Sequence, residues 1–85
     1  MRYSAVIVKR IRELSAERGI SIYKLAEMSG VKQSTLDNIV QGRTRNPGVR
    51  TMHKLAHAFN MTLSEFVDYG ELNEYSFEDD DDDEL

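Results

Sequence analysis

The stretch GISIYKLAEMSGVKQSTLDNIVQG, residues 19–42, constrains this chain more than any other. It reads as two short helices joined by a tight turn. Ser21 is placed as an N-cap, its hydroxyl able to accept from a free N–H of the first helical turn. A helix over 22–29 then buries Ile22, Leu25 and Ala26. Gly30 follows where a left-handed C′ residue is wanted, and Val31 plugs the turn. A second helix over 32–41 carries Leu36, Ile39 and Val40 at the i, i+3, i+4 spacing of a single buried stripe, and Gly42 ends it. Ala26 lies four residues before Gly30 and ten before Leu36. A small side chain there lets the two helices cross closely at a steep angle.

What surrounds this pair is limited by size. Eighty-five residues allow one domain, and one so small buries only about 60% of its unfolded surface. An all-helical fold with short loops is the economical solution. The chain has no cysteine, hence neither a disulfide framework nor a thiolate metal site. No apolar run approaches the roughly 20 residues of a membrane span, and the beginning MRYSAVIVKR lacks an adequate signal-peptide apolar core. A cytoplasmic protein, bacterial or phage-encoded, is expected.

Upstream, Ser4 is expected to cap a helix running to about Arg18, with Ile7, Ile11 and Leu14 on one face and Val8 beside them. Downstream, Pro47 and Gly48 stop any continuation of the second helix of the pair. A fourth helix over 49–59 turns Met52, Leu55, Ala56 and Phe59 inward, and Asn60 suits a left-handed terminus. Thr62 and Glu65 have capping-box spacing and open a last short helix in which Leu63, Phe66 and Val67 complete the core. The expectation is an all-α, compact five-helix domain.

The pieces RIREL (10–14), GIS (19–21), KLAEMSGV (24–31), STL (34–36), QGRTRNP (41–47), KLAHAF (54–59) and MTLSEF (61–66) together resemble the phage-repressor/Cro-type family of helix-turn-helix proteins, also called the xenobiotic-response-element family. The resemblance covers residues 7–67. It implies a lambda-repressor-like fold and sequence-specific binding of double-stranded DNA, usually as a homodimer and usually in repression of transcription. Four positions depart from the family pattern. Ile22 stands where many members have a phosphate-binding glutamine, and Lys32 where many have a capping Ser or Thr. Ser15 and Val40 replace an Arg–Glu pair, and losing both partners together leaves no lone buried charge.

In such a fold the helix over 32–41 is the recognition helix, and its early residues meet base edges in the major groove. Lys32, Gln33, Ser34 and Asn38 are the candidates for base readout. The two amides suit adenine, whose N6 and N7 they can bind in a bidentate way for about 1–3 kcal/mol of discrimination. Asp37 is a liability near phosphates unless it accepts from a cytosine amino group. Contacts to the DNA backbone are assigned to Tyr23, Gln41, Arg43 and Arg45, the arginines lying in the loop just past the recognition helix.

Nothing in the sequence pairs a nucleophile with a base, and no enzymatic activity or cofactor is expected. His53 and His57 share a helix face at i, i+4 without an acid at HExxH-like spacing, so they are read as surface residues, and no metal site is assigned. The net charge of −4 hides a division: residues 1–69 hold 11 bases and six acids, +5, and residues 70–85 hold nine acids and no base, −9. The chain thus divides into a helix-turn-helix domain, 1–69, and an acidic, flexible C-terminal tail, 70–85. EDDDDDE at 78–84 is too charged to fold alone. Its default role is a solvated terminus, and the sharper one is competition with DNA for the basic face; Leu72, Tyr75 and Phe77 just ahead of the run are an alternative, able to pack on the domain or on a dimer partner. The tail and the missing glutamine at position 22 favour an alternative in which the fold is a protein-interaction module, such as the antitoxin of a toxin–antitoxin pair.

Overall fold

The computed structural model describes residues 2–79, and every regular element among them is helical. In chain order these are α1 (Tyr3–Arg18), α2 (Ile22–Ser29), α3 (Gln33–Val40), α4 (Val49–Ala58), α5 (Leu63–Val67) and α6 (Gly70–Asn73), followed by a 3-10 turn over Phe77–Asp79. The first five coincide with the expected helices to within two residues at each end. The sixth was not expected.

Local chemistry accounts for most of the boundaries. Ser21 Oγ accepts from the Lys24 N–H at 3.0 Å and opens α2. Gly30 closes it at φ +76°, its N–H donating to the Ala26 carbonyl at 3.1 Å. Thr62 and Glu65 form the reciprocal capping box of α5, with Glu65 N–H to Thr62 Oγ1 at 3.0 Å and Thr62 N–H to Glu65 Oε1 at 2.8 Å. Asn60 takes the left-handed conformation (φ +61°) between α4 and α5. At the start of α1 the expected cap is displaced. Arg2 is the N-cap and makes no side-chain cap bond, and Ser4 lies buried inside the first turn. Packing wins over capping preference here: the Tyr3 ring is held by Tyr75, edge-on at 5.2 Å between centroids, and by Phe77, stacked at 5.6 Å.

The core gathers one stripe from each helix: Ile7, Ile11 and Leu14 of α1, Leu25 and Ala26 of α2, Val31 of the turn, Leu36 and Ile39 of α3, Leu55, Ala56 and Phe59 at α4, and Phe66 of α5. The Phe59 and Phe66 rings stack at 6.4 Å. Ile22, expected inside, is only half-buried; as the first residue of α2 it packs on the rim of the core, where no preceding turn covers it. Val8, Val40, Met52 and Val67 also pack from the rim. Polar ties complete the frame. Arg10 donates from Nε to the Phe66 carbonyl at 2.8 Å and from Nη2 to the Glu65 carbonyl at 2.9 Å, satisfying the open end of α5, and it lies over the Tyr69 ring at 5.1 Å. Arg12 Nη2 donates to the Val40 carbonyl at 3.3 Å. This joins α1 to the end of α3 without the Arg–Glu pair that Ser15 and Val40 replace.

Residues 70–79, assigned by sequence to a flexible tail, are folded back on α1. Lys9 Nζ meets Glu71 Oε2 at 2.6 Å, Leu72 packs on the core, and Tyr75 and Phe77 enclose Tyr3. The reason is that the acids of this segment are interleaved with Leu72, Tyr75 and Phe77, which have an apolar face to cover. The remainder of the acidic run, residues 80–85, lies outside the described residues.

Candidate nucleic-acid interface

α3 has two unlike sides. Leu36 and Ile39 are almost fully buried, and they fix the helix against α2 through the close approach that Ala26 permits. On the other side Lys32, Ser34, Thr35 and Asn38 are exposed. Lys32 proves to be the N-cap of α3 rather than its first turn, and its side chain makes no cap bond, since an ammonium has no acceptor to offer.

Gln33 is differently placed from the other proposed base readers. It is half-buried, its Nε2 donates to Asp37 Oδ1 at 2.9 Å, and its Oε1 is screened from solvent without a partner among the described residues. In this arrangement the amide oxygen is turned from solution, and Asp37 Oδ1 is occupied by a neutral donor. Bidentate contact with a base would require the Gln33 side chain to leave Asp37.

The end of α3 and the following loop form one polar cluster. The Asn38 carbonyl accepts the N–H groups of Arg43 at 2.8 Å and Thr44 at 3.2 Å, which curls the loop back over the last turn. Gly42 makes the curl with φ +81°. The Arg43 guanidinium then donates from Nε to Asn38 Oδ1 at 2.9 Å and from Nη1 to Gln41 Oε1 at 2.7 Å. Asn38, expected to read bases, is thus joined to Gln41 and Arg43, both expected to contact phosphates. Both amide oxygens are committed to the guanidinium, on three residues that are all exposed. Arg45 is exposed in the same loop, and Tyr23 is 64% exposed on the first turn of α2.

Four positions around α3 were not singled out by sequence reasoning. Thr35 belongs to its exposed face, and Arg50, Thr51 and Lys54 on α4 border a depression of about 290 Å³ together with Lys32, Thr35, Gly30 and Val31. The i, i+4 spacing of Arg50 and Lys54 was the available signal. His53 and His57 are exposed on α4 with ring centroids 4.7 Å apart. Among the described residues no three metal-ligating side chains group together, and no helix is long and apolar enough to cross a membrane.

A two-sided helix held across a glycine turn on a second helix is the arrangement that defines one structural family, and the family model for helix-turn-helix domains matches residues 8–66. The chain belongs to the helix-turn-helix family. Its matched span runs from within α1 into α5 and contains the motif pair α2–α3. The chain is 34% identical over 58 residues to the HTH-type transcriptional regulator PuuR of Escherichia coli strain K12, a match covering 68% of this chain and 31% of PuuR. It is 29% identical over 70 residues to the HTH-type transcriptional regulator SinR of Bacillus subtilis strain 168, covering 82% of this chain and 63% of SinR. It therefore spans about a third of the length of PuuR, 31%, and less than two thirds of SinR, 63%. Among solved structures, the prophage Lp1 protein 11 superposes with a TM-score of 0.78 at 24% identity, over 87% of this chain and 99% of that one, a likeness of fold. An HTH_3-family transcriptional regulator from Vibrio cholerae superposes with a TM-score of 0.67 at 26% identity, over 75% of this chain and 35% of that one.

Proposed function

We propose that this chain is a sequence-specific DNA-binding transcriptional regulator, a repressor, that sets α3 in the major groove of double-stranded DNA. The observation that carries the reading is the two-sided character of α3. Leu36 and Ile39 hold it rigidly, and Lys32, Ser34, Thr35 and Asn38 stand clear of the core beside a donor-rich loop. The names of PuuR and SinR as transcriptional regulators support the same reading.

Lys32, Ser34 and Asn38 are the base readers, with Gln33 joining them once it leaves Asp37. Tyr23, Gln41, Arg43 and Arg45 contact backbone phosphates and fix the register of the helix. The regulator acts in the cytoplasm as a homodimer, reading two half-sites with centres about 34–36 Å apart. The Tyr3–Tyr75–Phe77 clasp supports counting residues 75–77 with the folded unit rather than with the acidic tail.

The test is fluorescence-anisotropy titration of a mixed-sequence duplex at a series of salt concentrations. Steeply salt-dependent binding is expected, because each phosphate neutralised releases condensed counterions. Arg45→Ala should weaken binding on every sequence alike and reduce the salt slope by about one. A chain that fails to bind even at low salt would overturn the reading.

A further inference from the structure

The depression bordered by Gly30, Val31, Lys32, Thr35, Arg50, Thr51 and Lys54 brings three cations and two hydroxyls to one place, with no acidic side chain in its lining. Lys32 and Arg50 are exposed and Lys54 is half-buried. None of the three has an ion pair or side-chain hydrogen bond among the described residues, although other cations of the chain, Lys9, Arg18 and Lys24, do. The arrangement is also spatially mixed. Lys32 and Thr35 come from the start of the recognition helix, and Arg50, Thr51 and Lys54 from the polar side of α4.

Like charges held around one concavity repel, and the repulsion is relieved by an anion that enters it. The donor set favours one kind of anion. A carboxylate brings a single charge and two oxygens, and would leave most of these donors unfilled. A phosphate group brings up to two charges and three strong acceptor oxygens. Those oxygens suit the guanidinium fork of Arg50, the point charges of Lys32 and Lys54, and the hydroxyls of Thr35 and Thr51. At about 290 Å³ the depression exceeds the roughly 30 Å³ share of one water, so a phosphate fits with room for an ester substituent. We propose that this pocket is a phosphate-binding site, filled either by free phosphate or by a phosphodiester of the nucleic-acid backbone. It is separate from the Asn38–Gln41–Arg43 cluster, and its first test contains no DNA, so its failure leaves the DNA-binding reading standing.

That first test follows backbone amide resonances of the full chain during titration with inorganic phosphate, at constant ionic strength maintained with sodium chloride. Saturable shifts are expected at residues 30–32, 35 and 50–54. Lys54→Gln and, separately, the exposed Arg50→Gln should each raise the midpoint about tenfold, the usual effect of losing one charge-assisted hydrogen bond. Shifts that grow without saturation, or that neither substitution moves, overturn the site. A second arm repeats the DNA titration with the same two variants. A lower affinity with a salt slope reduced by about one assigns the phosphate to the DNA backbone. An unchanged slope beside saturable phosphate binding assigns it to a free ligand.

Discussion

At the scale of single residues, Ser15 and Gln33 each carry a buried oxygen that has no hydrogen-bond partner among the described residues. Ser15 is buried, at 6% exposure, and its Oγ has no partner among the described residues. A buried hydroxyl without a hydrogen bond costs about 1–3 kcal/mol. Ser15→Ala removes it, fits the same space and raises helix propensity. The expected result is a gain of about 1 kcal/mol, seen in thermal unfolding as a rise of about 4–8 °C for a domain of this size. Asn38 presents the opposite case, a group matched by the wrong partner for its assigned task. Adenine needs both the oxygen and the nitrogen of the amide, and Arg43 holds the oxygen. Arg43→Ala should therefore lower affinity on all duplexes while sharpening the preference for adenine at the Asn38 position, measured with a panel of base-substituted duplexes. The i, i+4 spacing of Gln33 and Asp37 is a known stabilising pair on helices, so their bond was legible in the sequence. The hold of Arg43 on Asn38 was not, because it depends on the path of the loop after Gly42.

At the scale of elements, the helices that sequence located best are those whose ends are set by neighbours in the chain. Ser21 and Gly30 bracket α2, and Thr62 with Glu65 opens α5, each through bonds spanning three or four residues. α6 was missed because what holds it is remote in sequence: Lys9 for Glu71, and Tyr3 for Tyr75 and Phe77. The Lys9 pKa is raised, chiefly by its hydrogen bond to Glu71. A raised lysine pKa means that the contact contributes fully below the unfolded value and fades only as pH climbs through the folded one, so this one exposed contact does not weaken by lysine deprotonation at neutral pH. α5 has only five residues and cannot persist as an isolated helix. It depends on its cap, on Arg10 at its far end and on Phe66 in the core. Thr62→Ala removes one half of the capping box and should cost about 1 kcal/mol, read from the urea midpoint. The loss should appear locally as faster hydrogen exchange of the Glu65 amide, whose acceptor is gone.

At the scale of the whole molecule, the dominant feature is charge segregation. The bases lie within residues 1–69, net +5, and nine acids follow in 70–85. The sequence alone placed the division at residue 69, where composition changes. The fold does not change there, since α6 and the Tyr75–Phe77 turn pack back on α1. Deleting everything after residue 69 would therefore remove Leu72 from the core rim and Glu71 from Lys9 along with the acids, confounding charge with stability. A cleaner variant replaces Asp80, Asp81, Asp82 and Asp83 with Asn in the full chain, which removes four negative charges and keeps the described contacts intact. If the acidic run competes with DNA for the basic side of the domain, this variant should bind a mixed-sequence duplex more tightly than the parent at about 50 mM salt. The advantage should shrink as the Debye length falls toward about 8 Å at 0.15 M salt, because exposed charges are screened beyond that distance. Competition within one chain and simple repulsion of DNA by net charge separate in the salt-slope comparison. A tail that occupies phosphate-binding cations must be displaced by DNA, so its neutralisation steepens the salt slope of binding. Repulsion by a solvated tail changes affinity smoothly with screening and leaves the number of phosphate contacts unchanged. Equal affinities at all salt concentrations would assign the acidic run no part in DNA binding.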